Sequence, residues 1–376
     1  MKNKIKNISV IIALFLTFIF LSFKFKSFIF LLLSILILSF LLGLVKKINK
    51  NFLLFYFTFL ISIIFVEVFL KIDFSIIFKN ERLSKGNQAV ISYDNFKYEK
   101  TYLGNQLKKG TYNHYKKKAD IFIFNQNYEV NSDNFKINKL IKNNDQKLLK
   151  ASFFGGSDIF GWGLSENETL PYLFYEQNKE YNIFNYGMIG GAINQTLQMI
   201  RNNNDYLGDI NIVVTSSYQL PRIACNRNYS FNAPSFKIVN NELKFDGYCV
   251  FSFLKLNFQI PRMIGSIINR SEIIKLLNNV FTKENNKKNI KVYLKIIKEI
   301  NDISDNNNKS LIILYYGSKS KLDEEIIAFL IKNKIPYIDV SLHDKRFFIK
   351  HDKHFNKLAY EIWLNKLNKN LIRLKP

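Results

Sequence analysis

The sequence predicts an α/β domain with a mainly parallel sheet in three layers, α/β/α, and three observations carry that prediction. After residue 148, short apolar runs alternate with amphipathic helical stretches. The runs are continuous rather than alternating, as strands covered on both faces are. Glycine- and serine-containing turns follow them, at the strand ends where such a sheet receives ligands.

Taken in order, strands are expected at 148–154, 181–186, 210–216, 311–316 and 335–340. Helices are expected at 169–177, from 194 to about 202, at 321–332 and at 356–367. The stretch 221–310 interrupts this rhythm and is too long for a plain loop. It holds Gly247-Tyr248-Cys249 and apolar, helical stretches around 251–256 and 292–300. It reads as an insertion over the edge of the site, where it would set substrate selectivity. Upstream, residues 80–147 show no long helical pattern. Short aromatic or alternating runs at 112–115 and 119–128 suggest a small β-rich lobe spanning 73–147, ahead of a main domain at 148–376.

The first 72 residues are of another kind. Apolar runs at 10–23, 28–45 and 52–70 are separated by lysine-bearing segments. The second and third are long enough to span a bilayer at 1.5 Å per residue. The first is shorter. No small-residue cleavage site follows it, so a retained helix is favoured over a cleaved signal peptide. Lys2, Lys4 and Lys6 precede the first run, and Lys46, Lys47 and Lys50 lie between the second and third. Both groups are placed inside by the positive-inside rule, so three crossings would leave the rest of the chain outside. The expectation is therefore a multi-pass membrane protein, touching lipid through its N-terminal helices, with its C-terminal domain outside the cytoplasm.

The net charge of +24 would ordinarily suggest nucleic acid. Here lysine is inflated together with asparagine, isoleucine and phenylalanine, arginine is scarce, and the lysines are scattered rather than gathered on one face. Nucleic acid is therefore not expected as a partner. Cys225 and Cys249 are the two cysteines. Their spacing is compatible with a disulfide or with two partly buried thiols, and neither has the company of a metal site. No cofactor is expected.

The chemistry concentrates in the turn after the first parallel strand. Phe153-Phe154-Gly155-Gly156-Ser157 ends an apolar run in two glycines and a hydroxyl, the setting of a nucleophile lifted to the rim of a sheet. A serine nucleophile needs a base and an orienting acid. Of the four histidines, His114 lies in the β-rich lobe and reads as structural, while His343, His351 and His354 follow the last strand. His351-Asp352-Lys353-His354 directly precedes the last helix, with His354 as base and Asp352 as its partner. Oxyanion donors are expected from the Ser157 N–H and from Gly190 in the turn Gly187-Met188-Ile189-Gly190-Gly191. Gln219, after the third strand, is expected as a further donor, and Arg222 as a contact for an anionic group of the substrate or for an internal carboxylate.

Three pieces, GGSDIFGWGLSENETLPYLF from Gly155, NYGMIGGAINQ from Asn185 and DKHFN from Asp352, together resemble the SGNH/GDSL hydrolase superfamily. The resemblance spans about 148–367 apart from the insertion. It implies a flavodoxin-like domain with Ser157 as nucleophile, Gly190 as oxyanion donor, and Asp352 and His354 as the remaining catalytic pair. The chain departs from that pattern at Gly156, where the family carries aspartate, and at Gln219, near its third-block asparagine. The lead-in from Tyr102 is similar, more loosely, to that of membrane-tethered bacterial members. The implied activity is ester hydrolysis or O-acyl transfer on an acylated cell-envelope glycan or another small ester. The alternative is a catalytically silent module that binds glycan in the same cleft.

Overall fold

The computed structural model describes residues 61–64, 90–118, 121–143, 149–226, 230–261, 265, 271–284 and 286–374. The described residues between 86 and 259 and between 284 and 376 form one compact unit. The others belong to a second unit.

The compact unit opens with strands β1 (Val90–Asp94), β2 (Tyr98–Thr101), β3 (Gly104–Leu107), β4 (Gly110–Lys118) and β5 (Ile121–Val130). β1, β4 and β5 make an antiparallel sheet, and β2 and β3 a separate hairpin. β4 extends beyond the expected 112–115 on both sides, and β5 falls on the expected 119–128 from residue 121 on, residues 119 and 120 lying outside the described residues. β1 to β3 escaped the sequence reading because segments such as Tyr-Glu-Lys-Thr and Gly-Asn-Gln-Leu carry no apolar alternation. Along β4, Tyr112 and His114 are buried while Asn113 and Tyr115 are less so, the period-two pattern of a strand with one covered face.

The main domain follows as β6 (Leu149–Gly155), the one-turn helix α1 (Ser157–Phe160), α2 (Leu170–Gln177), β7 (Tyr181–Gly187), α3 (Ile193–Asn202), β8 (Ile210–Thr215) and the one-turn helix α4 (Leu220–Ile223). Next come β9 (Pro234–Val239), β10 (Glu242–Phe251), β11 (Leu254–Leu256) and α6 (Asn286–Asn306), while α5 (Glu272–Glu284) belongs to the second unit except for its last residue. The chain closes with β12 (Ser310–Tyr315), α7 (Lys321–Lys332), β13 (Tyr337–Asp339) and α8 (Lys357–Leu374). All five expected strands of the main sheet are present, with ends shifted by a residue or two. They form one parallel sheet in the order β13-β12-β8-β6-β7.

Successive strand residues enter opposite cores. Phe154, Val213 and Ile313 pack with Ile193 and Leu197 of α3, Ile296 and Ile297 of α6, and Ile326 of α7. Phe153, Ile212 and Leu314 pack with Leu170 and Phe174 of α2 and with Tyr360, Trp363 and Leu367 of α8. Burying both faces is what the continuous apolar runs required, each large side chain contributing about 1.5–3 kcal/mol.

The interrupting segment is not wholly an insertion. α6 lies in the crossover between the parallel strands β8 and β12, and Tyr293, Ile296, Ile297 and Ile300 are fully buried in the core. Residues 251–256, expected as apolar and helical, instead end β10 and form β11, which with β9 make a three-stranded antiparallel sheet. The phenylalanine-rich pattern there has strand pairing as its cause, not helix burial. Cys225 and Cys249 form a disulfide with a Cα–Cα separation of 5.2 Å, joining the chain after α4 to β10.

The expected cellular placement is corrected. Among the described residues no helix is long and apolar enough to cross a membrane. The apolar runs 10–23, 28–45 and 52–70 lie outside the described residues apart from the helical turn at 61–64. A length of apolar sequence is a property of composition and does not by itself establish a spanning helix.

Candidate active site

β6 stops at Gly155, and Gly156 turns the chain so that Ser157 begins α1. The first N–H groups of a helix lack intrahelical acceptors, so those of Ser157 and Asp158 are not consumed by α1 itself. α1 is pinned from three sides. The Tyr316 hydroxyl donates to Asp158 Oδ2 at 2.8 Å, and the Tyr360 hydroxyl donates to the Asp158 carbonyl at 2.8 Å. Asn185 Nδ2 donates to the Ile159 carbonyl at 3.0 Å. Burial, reinforced by the Asp158 charge, pushes both phenols well above their usual range, which keeps them donors. None of these supports was singled out in the sequence. Asp158 adjoins the serine and was the nearest available signal.

β7 ends at Gly187, directly against α1. A Cβ at position 187 would collide with the Ile159 carbonyl carbon and the Phe160 nitrogen, so only glycine lets strand and helix meet this closely. The next turn is closed by the Gly191 N–H donating to the Met188 carbonyl at 2.9 Å. Gly190 sits in it at φ +70°, the left-handed region that glycine enters without strain. The Gly191 N–H is thereby committed, whereas the Gly190 N–H has no acceptor among the described residues.

The loop before α8 is drawn tight by reciprocal backbone bonds. Ile349 N–H donates to the His354 carbonyl and Asp352 N–H to the Ile349 carbonyl, each at 2.9 Å. This brings His354 Nε2 to 2.9 Å from Ser157 Oγ, across 197 residues of sequence. Its Nδ1 lies 2.5 Å from Asp352 Oδ1, which also accepts the His354 backbone N–H at 3.0 Å. An ionised carboxylate only accepts, so the ring carries its proton on Nδ1 and Nε2 is left to accept the Ser157 hydroxyl. Burial works to raise the Asp352 pKa, but hydrogen bonds from His354 and Lys116 outweigh it and hold the carboxyl well below the usual carboxylate range. Ser157 is 8 % exposed, whereas the His354 side chain beside it is 29 % exposed.

Two residues of the β-rich lobe reach this site. Lys116 Nζ donates to Asp352 Oδ2 at 2.8 Å and to the His351 carbonyl at 2.7 Å. His114 is fully buried against Trp162, with ring centroids 4.1 Å apart, and Trp162 in turn lies 5.5 Å from His354. Burial depresses the His114 pKa to about 4, against a partial upward pull from Asp94 and Asp352. Its structural role follows from that neutral aromatic packing.

The remaining expected residues divide. His343 and His351 are exposed and take no part in the Ser157 contact, although His351 sits at φ +57° and offers its carbonyl to Lys116. Gln219 is buried, and its Oε1 accepts from the Ile193 N–H at 2.8 Å and from Thr215 at 3.2 Å, capping the start of α3. Its amide group alone remains for donation elsewhere. Arg222 Nη1 donates to the Gly191 carbonyl at 2.5 Å and thereby braces the glycine turn. A Cβ at Gly156 would stand 3.0 Å from that same carbonyl and 3.5 Å from Arg222 Nη1, so the space beside the nucleophile is shared by the glycine turn and the guanidinium.

A serine hydroxyl, a correctly protonated imidazole and a buried carboxylate in sequence can move the serine proton onto His354 as Oγ attacks an electrophile. No protein-family model matches the chain, and no curated protein matches it.

Proposed function

We propose that the chain is a serine ester hydrolase or O-acyltransferase of the SGNH/GDSL type, working through an acyl-enzyme on Ser157. The observation that carries this reading is the continuous hydrogen-bond chain from Ser157 Oγ through His354 to Asp352. The fold agrees with it. Counted in chain order, the parallel strands run 2-1-3-4-5, the flavodoxin-like order, with helices packed on both faces. The three residues sit in the loops beyond the carboxyl ends of the strands, where ligands of such sheets bind.

In this reading His354 Nε2 takes the hydroxyl proton as Ser157 Oγ bonds to the acyl carbon, and the carbonyl electron pair moves onto oxygen. The Ser157 and Gly190 N–H groups are the backbone donors for that oxyanion, with the Gln219 amide as a third. Collapse expels the alcohol, which recovers the proton from His354. Water, or a second hydroxyl in the transfer reaction, then attacks the acyl carbon with His354 again as base, and Ser157 is released. Asp352 remains ionised throughout and stabilises the imidazolium. An acylated carbohydrate or another small ester is the proposed substrate class.

The test is turnover of p-nitrophenyl acetate and of an acetylated sugar by the full chain, beside labelling with a fluorophosphonate. Labelling and turnover that both vanish in Ser157→Ala and His354→Ala support the reading. Undiminished turnover in Ser157→Ala would sink it.

A further inference from the structure

The catalytic carboxylate has two oxygens, and the three-residue chain uses one. Asp352 Oδ1 takes both bonds from His354, whereas Oδ2 is held by Lys116, a residue of β4 that lies 236 positions upstream. The pair is largely enclosed, with side-chain exposures of 18 % for Lys116 and 9 % for Asp352. The same ammonium bonds the His351 carbonyl, at the one residue of the loop 351–354 with positive φ. It thus holds both the carboxylate and the turn that presents it.

We propose that Lys116 is a positioning residue of the acyl-transfer reaction, so that the β-rich lobe supplies a fourth member of the catalytic array. This inference rests on the ester-transfer reading of Ser157. A carboxylate gripped at Oδ2 cannot rotate about its own axis, and Oδ1 is left facing the imidazole Nδ1–H. Without the ammonium, Oδ2 would be a largely buried acceptor with no partner, and the carboxylate would turn toward solvent or bind a proton. Either change disorders His354, and a misplacement on the order of 1 Å is worth about a hundredfold in rate. The charge acts as well. A cation beside the Asp352–His354 pair opposes the arrival of another proton, so it extends activity toward acid. The ionisable groups facing one another here are Asp352 and His354 from the loop, Lys116 and His114 from β4, and Asp94 from β1.

The experiment compares full-length wild type with Lys116→Met, Lys116→Gln and Lys116→Arg, after circular dichroism has established that each is folded. Lys116→Met should lower kcat by about 10- to 100-fold with KM within about twofold, because the lesion lies behind the base and away from the substrate. Its acid limb in kcat/KM should move up by about one pH unit. Lys116→Gln, which keeps a donor without charge, carries the same shift if the methionine variant does not fold. Lys116→Arg should return the acid limb to its wild-type place. A second readout is the low-field proton resonance of the His354 Nδ1–H, identified by its loss in Asp352→Ala and expected to move or vanish in Lys116→Met. The proposal is overturned if Lys116→Met keeps both the wild-type profile and that resonance. It is equally overturned if all three variants lose rate together with the acid limb unmoved, the pattern of plain structural support. Absence of Ser157-dependent turnover in wild type would instead defeat the ester reading. The resonance would still report whether Lys116 orders the Asp352–His354 pair.

Discussion

Replacing Asp352 by asparagine tests the site where its geometry is most constrained. The wild-type carboxylate accepts two side-chain hydrogen bonds in addition to the one from the His354 backbone, and neither partner, His354 Nδ1 at 2.5 Å or Lys116 Nζ at 2.8 Å, tolerates a donor in its place. An amide offers one acceptor and one donor group. If its oxygen faces His354, its NH2 points at the Lys116 ammonium. If it flips, the NH2 meets Nδ1, which must become the acceptor, and the ring proton moves to Nε2. That tautomer cannot take the Ser157 proton. A rate loss of about ten-thousandfold in kcat is expected, or about 5.4 kcal/mol of transition-state stabilisation. The largely buried ammonium also loses its counter-charge, and about 1–3 kcal/mol of stability should go with it. The assay is steady-state ester hydrolysis across pH 5 to 9, run beside a chemical-denaturation curve. Turnover within about threefold of wild type would refute the assigned tautomer and with it the role of Asp352.

Two further outcomes follow from the packing around the site. Gly187→Ala should destabilise the protein by about 1–3 kcal/mol and lower turnover with it, because the new Cβ would meet the backbone of α1 and push Ser157 away from His354; thermal melting and kcat/KM measured on the same sample check this. His114 has a folded-state pKa of about 4 against an ordinary 6.5, so between those values the unfolded chain takes up a proton that the folded one does not. Its contribution is therefore complete above about pH 6.5 and is lost as pH falls toward 4. His114→Phe, which keeps the ring against Trp162 and Phe124, should flatten the dependence of Tm on pH in that window, and an unchanged slope would refute the assignment.

Much of the main domain was legible because its signals are local. Strands such as β8, buried at all six positions, announce themselves as continuous apolar runs, and α7 has Ser320 as a side-chain cap, with its expected limits 321–332 met. The short polar strands β2 and β3 were not legible, since their pairing depends on neighbours rather than on composition. α6 was legible as a helical stretch at 292–300, but its place in the core was not, for a related reason. A helix wholly inside an apparent insertion is identified as a core crossover only when the strands on either side of it are known to be adjacent, as β8 and β12 are.

The candidate site divides along the same line. Ser157, Asp352 and His354 could be chosen from sequence because each stands at or just after a turn that links a strand to a helix, a context that a few residues define. By itself the sequence determined that these residue types lie in loops at the same edge of an α/β sheet. Only the tertiary structure decided that His354 Nε2 stands 2.9 Å from Ser157 Oγ, that Arg222 and Gln219 Oε1 brace the glycine turn and α3, and that Lys116 completes the carboxylate. In a chain rich in lysine, no local pattern distinguishes the one that reaches Asp352. Its meaning comes from β4 packing against a loop more than two hundred residues away, and hydrogen bonds are sensitive to distances of tenths of an ångström that sequence spacing does not encode.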